Sequence, residues 1–315
     1  QSMDQLMSKH FTILGLPVEA GTGRGGCLMG PDSLRTAGLC EVISDLGRAV
    51  NDLGNMARPS SIAPVAGPAH LKKLPEIVAW TQHIQALAFD LATQDSFPIF
   101  LGGDHSIAAG TLSGIAQAAA HADQPQFVLW LDAHPDLNTL SSSLSGNLHG
   151  TPMAYALGLH SFADIFPPLA VPIDPANICM MGLRSVDDAE HHVINELGLD
   201  VYDMQRLDAL GVVKPITDFL NRVAAAKGRL HISLDVDFLD PEIAPAVGTT
   251  VPGGASGREA HLIMDMICDS GLATSLELSE LNPYLDVEGK TAALLCDLVG
   301  SLLGQKTLKR HKKGE

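Results

Sequence analysis

Phe127-Val-Leu-Trp-Leu-Asp-Ala-His-Pro-Asp-Leu-Asn138 is the stretch on which the reading of this chain turns. Five apolar residues run without a polar break and then give way to acids and a histidine. A short, wholly apolar run reads as a strand buried on both faces, as strands of parallel sheets are. In open parallel sheets, functional groups gather just past the carboxyl ends of the strands. The same layout recurs three times. Phe97-Pro-Ile-Phe-Leu101 leads into Gly102-Gly-Asp-His105-Ser106. Leu230-His-Ile-Ser-Leu234 leads into Asp235-Val-Asp237-Phe-Leu-Asp240-Pro241. Ser275-Leu-Glu-Leu-Ser279 leads into Glu280-Leu-Asn282-Pro283.

Around these four segments, short apolar runs alternate with helical patterns, the signature of an α/β fold with a parallel sheet between helices. Strands are expected at Phe11–Leu16, Phe97–Leu101, Phe127–Asp132, Asn177–Leu183, Leu230–Asp235 and Thr274–Leu278. Ile77, Trp80, Ile84, Leu87 and Leu91 recur at three- and four-residue steps, which predicts an amphipathic helix over 76–94. Further helices are expected over 215–226, with Pro215 in the first turn and Gly228 at the end, and over about 257–269 and 289–303. The proline-bearing stretches 55–70 and 161–176 read as surface loops. Neither marks a domain boundary, so a single domain is expected.

Composition narrows the function. The chain has 315 residues with 20 Lys+Arg against 36 Asp+Glu, a formal net charge of −16, and 46% hydrophobic residues. Such acidity argues against nucleic acid and against an anionic membrane as partners. The longest apolar stretch, Ala292 to Leu303, is broken by Asp297 and Gly300, and a spanning helix needs about 18 apolar residues or more. The N-terminus has no basic start followed by an apolar run, and the five cysteines form no C-x-x-C. Both features lead us to expect a cytoplasmic protein. Gln1-Ser2 ahead of Met3 read as a cloning remnant, and residues 306–315 as a frayed basic tail.

Residues two apart in extended chain point the same way. Asp132, His134 and Asp136 are therefore expected to share one face, and Asp235 and Asp237 another. Several carboxylates converging at one end of a sheet cannot all stay ionised and unpaired, so they call for cations. His105, Asp132, His134, Asp136, Asp235 and Asp237 offer four carboxylates and two imidazoles. That is too anionic for one tetrahedral zinc and suits two divalent ions with bridging carboxylates. The oxygen-rich set favours two Mn²⁺ over Zn²⁺, with Co²⁺ or Ni²⁺ as substitutes. Such a pair would lower the pKa of a shared water.

On the motifs Gly102-Gly-Asp-His105, Asp132-Ala-His-Pro-Asp136 and Ser233-Leu-Asp-Val-Asp-Phe-Leu-Asp-Pro241, the chain resembles the ureohydrolase family over nearly its whole length. Ser145-Gly-Asn-Leu-His-Gly150 places the likeness in its arginase branch, of bacterial type. The resemblance implies one ureohydrolase domain over residues 3–305, with an eight-stranded parallel sheet sandwiched between helices and assembled as homo-trimers or hexamers. It implies manganese-dependent hydrolysis of L-arginine to L-ornithine and urea by a hydroxide bridging the metals. His105, Asp132, Asp136 and Asp235 would hold one ion, and His134, Asp132, Asp235 and Asp237 the other. His149 would shuttle protons without ligating metal, and Asp136 would take part in proton transfer. Asn138, Ser145 and Asn147 would receive the α-carboxylate, Asp187 with Glu190 the α-amino group, and Glu280 the guanidinium.

Pro135 stands where the family pattern has Thr, and Ser185 replaces a common acidic residue. Agmatine, or another guanidino or formimino compound, is the alternative substrate, and a non-catalytic guanidino sensor the remote one. Gly21-Thr-Gly-Arg-Gly-Gly26 satisfies G-x-G-x-x-G, but four residues separate it from the preceding strand and no helix opens directly after it. It reads as a flexible loop at the rim of the site, not as a dinucleotide cradle.

Overall fold

The computed structural model describes residues 10–306. Its strands are β1 (His10–Leu16), β2 (Val50–Asn55), β3 (Ser96–Gly102), β4 (Gln126–Leu131), β5 (Ile178–Leu183), β6 (Asp200–Asp203), β7 (Arg229–Asp235) and β8 (Ala273–Ser279). They form one sheet in the order β2-β1-β3-β8-β7-β4-β5-β6, and every neighbouring pair is parallel. The six strands expected from apolar runs lie within one residue of their predicted ends. The two that lack such runs, β2 and β6, are the edges of the sheet. Only Tyr202 among their residues is buried, so nothing forces an apolar sequence on them.

The helices are α1 (Gly30–Thr36), α2 (Leu39–Asp45), α3 (Leu74–Thr93), α4 (Ile107–His121), α5 (Pro152–Ala156), α6 (Asp188–Leu197), α7 (Met204–Leu210), α8 (Val213–Ala226), α9 (Gly257–Ser270) and α10 (Lys290–Leu302). Strand side chains alternate between two cores. Leu129, Leu131, Ile232 and Leu234 pack with Leu34, Phe219, Ile263 and Leu295 on one side. Val128, Trp130, Phe100 and Met180 pack with Trp80, Ile84, Leu112 and Ile115 on the other. The helix expected over 215–226 begins two residues earlier, with Pro215 in its first turn as expected, but the left-handed end is made by Lys227 (φ 50°), not Gly228. Gly228 is needed for space, since a Cβ there would stand 2.5 Å from the Phe127 ring. Of the tail expected over 306–315, Lys306 is described and pairs with Asp265 and Asp269. Residues 1–9 and 307–315, with the expected remnant, lie outside the described residues.

This topology positions the site. The chain visits β3, β4, β7 and β8 across some 180 residues of sequence (96 to 279), and the sheet sets them side by side as β3-β8-β7-β4. Their carboxyl ends therefore meet at the centre of one sheet edge. Behind β3 and β4, α3 and α4 pack closely through glycines. A Cβ on Gly114 would lie 2.5 Å from the Gln85 carbonyl oxygen and 2.7 Å from the Ala88 Cβ. Gly→Ala inside a helix gains up to about 1 kcal/mol of propensity, but overpacking costs about 1–3 kcal/mol. The backbone contact cannot be relieved by a rotamer change, so overpacking wins. Gly114→Ala is expected to lower the urea midpoint of unfolding, and a raised midpoint would show that the two helices separate freely.

Candidate functional site

Each site residue stands where its strand ends. The chain leaves β4 at Leu131 and bends through Asp132–His134, so the extended alternation expected over 132–136 does not occur. Convergence comes from the bend and from Asp136, which adopts the left-handed region (φ 50°). A non-glycine residue there is strained. Its carbonyl is held by the N–H groups of Met153 and Ala154 at 3.1 and 3.3 Å, where α5 begins. Pro135 lies beyond the ladder, where its missing N–H removes no sheet bond. Asp235 closes β7 and Asp237 sits in a 3₁₀ turn directly after it, so this pair also meets through a turn. The Asp237 N–H donates to Asp235 Oδ1 at 2.8 Å. Glu280, past β8, is again left-handed (φ 65°), and its N–H donates to the Gly103 carbonyl.

The six residues named as metal ligands come together. His105 Nδ1 lies 3.0 Å from Asp132 Oδ2, 3.0 Å from Asp235 Oδ2 and 3.2 Å from Asp136 Oδ2. His134 Nδ1 lies 3.0 Å from Asp237 Oδ2 and 3.6 Å from Asp132 Oδ1. His105-Asp132-Asp136 and Asp132-His134-Asp237 each form a group able to hold a metal ion, with Asp132 common to both. The backbone fixes the carboxylates: His134 N–H donates to Asp132 at 2.7 Å and Ala133 N–H to Asp237 at 3.0 Å. The His105 ring stacks on Trp130 with centroids 4.1 Å apart and planes 2° from parallel.

Electrostatics explain what this cluster needs. Burial, then repulsion from Asp237 and Asp136, raises Asp132 to about 7. Burial and the same kind of repulsion raise Asp235 well above the carboxylate range. Burial opposes the charge on His134, but the neighbouring carboxylates of Asp132 and Asp237 outweigh it and lift the imidazole to about 12. Asp237 also pays for burial, yet its contact with His134 holds it below the usual range. His105 Nδ1 and Asp132 Oδ2 are buried and make no hydrogen bond although they face each other. Orphaned polar atoms at the focus of four buried carboxylates fit coordination of cations.

Above this floor opens a cleft of about 290 Å³. His134, Asp136, Asp235 and Asp237 line its base, and His149 and Glu280 one wall. Asn138, Ser145, Asn147, Asp187 and Glu190 line the rest. Glu280 Oε1 accepts from the His105 N–H at 2.7 Å and lies 2.8 Å from His149 Nδ1. Burial works against His149, but Glu280 raises it to about 9; burial likewise opposes ionised Glu280, and His149 holds it low. Asn138 Nδ2 donates to Asp187 Oδ2 at 2.9 Å. Glu190 is already engaged: its two oxygens accept from the N–H groups of Leu137 and Asp187, the N-cap of α6. Ser185 lines the cleft beside Asp187.

The glycine loop after β1 lies at the rim, where the His149 N–H donates to the Gly21 carbonyl. Hydrogen bonds tie both of its ends to the body of the protein. Gly21 and Thr22 N–H donate to Asp104, Gly26 N–H to Glu19, and Asn282 to the Gly25 carbonyl. The Asp104 carboxylate thus takes the N–H groups that a phosphate would need.

Two features escaped the sequence reading. Ser143, Leu144 and Thr249 also line the cleft, from loops with no periodic pattern to mark them. His231, Ser233 and Asp235 on β7 face Ser275, Glu277 and Ser279 on β8 in register. That polar alternation inside two apolar strands is a signal present in the sequence.

The comparisons with known proteins follow the same lines. The model of the arginase family matches residues 9–304. An arginase from Brucella melitensis is 57% identical over 302 residues, spanning 96% of this chain and 98% of the relative. The crystal structure of arginase from Bacillus subtilis has a TM-score of 0.84 at 42% identity and covers 95% of this chain and 100% of its own. The native arginase structure from Bacillus caldovelox has a TM-score of 0.86 at 36% identity, again with 95% and 100% covered. With sequence and fold matched over nearly the whole length, the chain belongs to the arginase family.

Proposed function

We propose that this hydrolase of the arginase family cleaves L-arginine to L-ornithine and urea with two Mn²⁺ ions per chain. The observation that carries the reading is the pair of His/Asp groups sharing Asp132, at the base of a cleft whose walls carry both carboxylate and amide side chains. His105, Asp132, Asp136 and Asp235 would hold one ion, and His134, Asp132, Asp235 and Asp237 the other. Two divalent ions there would supply hydroxide at neutral pH, and the carboxylate-rich donor set suits Mn²⁺.

The chain's own residues do the rest. Glu280 pairs with the planar guanidinium and sets its carbon over the metal floor, held ready by the His105 N–H and by His149. Asn138, Ser145 and Asn147 take the α-carboxylate, and Asp187 takes the α-amino group. The bond from Asn138 to Asp187 links these two readers, so both ends of the amino-acid head are fixed together. Glu190 acts through Asp187 and Leu137, whose backbones it holds. Asp136 passes a proton to the leaving amine. His149, partly exposed at the wall, carries protons between cleft and solvent. Trimeric or hexameric assembly and a cytoplasmic location complete the proposal.

Urea release after preincubation with Mn²⁺, from L-arginine and agmatine in parallel, tests it. Release from L-arginine is expected, with agmatine strongly disfavoured because it leaves the carboxylate-binding groups unpaired. A preference for agmatine would overturn the substrate assignment. Asn138→Ala is expected to raise KM for L-arginine by roughly 10-fold or more with kcat little changed, since a hydrogen bond to a charged group is worth about 1.5–3 kcal/mol. An unchanged KM would place the carboxylate elsewhere.

Metal removal has a pH signature. Asp132 is raised from the ordinary carboxylate range to about 7 in the metal-free fold. A raised folded-state value gives stability that is present below the unfolded value of about 4 and lost as pH rises through about 7. Mn²⁺ takes the place of the proton. The gap in Tm between Mn²⁺-loaded and chelated protein is therefore expected to widen from about pH 5 to about pH 8. Differential scanning calorimetry reads it, and a gap independent of pH would contradict the account.

A further inference from the structure

Glu277 is a carboxylate with no solvent exposure in the middle of β8, flanked by the core residues Leu276 and Leu278. A charge at such a place is costly unless its lone pairs are used. Its Oε2 accepts from Thr111 Oγ1 on α4, and its Oε1 accepts from Ser233 Oγ at 2.6 Å. The β7–β8 register sets Ser233 directly opposite Glu277. His231 Nε2 stands 3.6 Å from the same oxygen, too far for a hydrogen bond. Ser233 Oγ also lies 2.8 Å from His105 Nε2.

The direction of this chain of bonds is dictated by counting protons. A serine hydroxyl has one hydrogen, and an ionised carboxylate only accepts. The Ser233 hydrogen therefore goes to Glu277, and Ser233 meets His105 with a lone pair. His105 must bring the hydrogen on Nε2, which leaves the lone pair of the neutral ring on Nδ1. Nδ1 is the atom that faces Asp132, Asp136 and Asp235 and is buried without a hydrogen-bond partner.

We propose that Glu277 is a positioning residue for the metal centre: through Ser233 it fixes the His105 proton on Nε2 and turns the Nδ1 lone pair toward the cation. This rests on the two-metal reading above. The stack on Trp130 sets the plane of the ring, and the Glu277 relay sets which nitrogen is free. A glutamine would not do the same. Its amide can donate to Ser233, which then donates to Nε2 and leaves the hydrogen on Nδ1, in the way of a cation. His134 has no bond to the relay, so its half of the centre keeps its own geometry.

Titration of the full-length, metal-free protein with Mn²⁺, followed by calorimetry and electron paramagnetic resonance, tests this in wild type, Glu277→Gln and Ser233→Ala. Wild type is expected to take two ions and to show the spectrum of a spin-coupled pair. Both variants are expected to keep one ion and to lose affinity for the other by about 10–100-fold, giving the spectrum of isolated Mn²⁺ at low loading. Ser233→Ala removes a single buried oxygen, so it carries the test if Glu277→Gln does not fold. Two ions bound by the folded variants as tightly as by wild type would overturn the relay. Equal weakening of both ions would also overturn it, since that is general loosening. Wild type that bound no Mn²⁺ would overturn the metal reading, and the relay with it.

Discussion

Repulsion among buried carboxylates is the constraint on which the rest of this structure depends. Asp132, Asp136, Asp235 and Asp237 are all buried, within reach of two imidazoles, at the centre of one edge of the sheet. Burial and then mutual repulsion raise Asp132 and Asp235, while His134 holds Asp237 down. Such a cluster is held in place only by a scaffold that over-determines it, and it is relieved by protons or by divalent cations. The parallel sheet supplies the scaffold because its central strands cannot move independently. The acids sit at strand ends, where the ladder stops and the chain is free to turn.

The turns that bring the acids together carry local strain, and backbone contacts hold that strain. Asp136 and Glu280 occupy left-handed conformations, each fixed by hydrogen bonds of its own main chain. Glycines let the backbones close in. A Cβ on Gly103 would meet the Val18 carbonyl at 1.9 Å, and one on Gly182 (φ 99°) would meet the Phe238 ring at 2.5 Å. These contacts draw the ends of β1, β3, β5 and β7 together around the cleft. The glycine loop tied to Asp104 then serves as part of the rim.

Much of this was legible in the sequence because double-sided burial writes itself as apolar runs. Phe127–Leu131 and Leu230–Leu234 announce central strands, and the residues after them announce the site. β2 and β6 were not legible, since an edge strand half open to water needs no such run. The ligands were legible but their geometry was not. The bend at Asp132 and the left-handed Asp136 are not written in the local sequence, because distant segments hold them: Arg184 and Ser185 N–H groups on the Ala133 carbonyl, and Met153 and Ala154 N–H groups on the Asp136 carbonyl. Glu190 shows a different limit. Its spacing from Asp187 fits both a ligand contact and a helix cap, and the fold uses its two oxygens on backbone N–H groups. Glu277 lies within a strand and not at its end, yet a carboxylate between two leucines in a central strand is itself a signal.

Two cations sharing Asp132, as proposed, would relieve the repulsion among the buried carboxylates. Crystals of the protein grown with Mn²⁺, measured on both sides of the manganese absorption edge, test it most directly. Two anomalous peaks are expected, one against His105 and one against His134, with Asp132 touching both. A single peak, or none between these residues, would contradict the proposal.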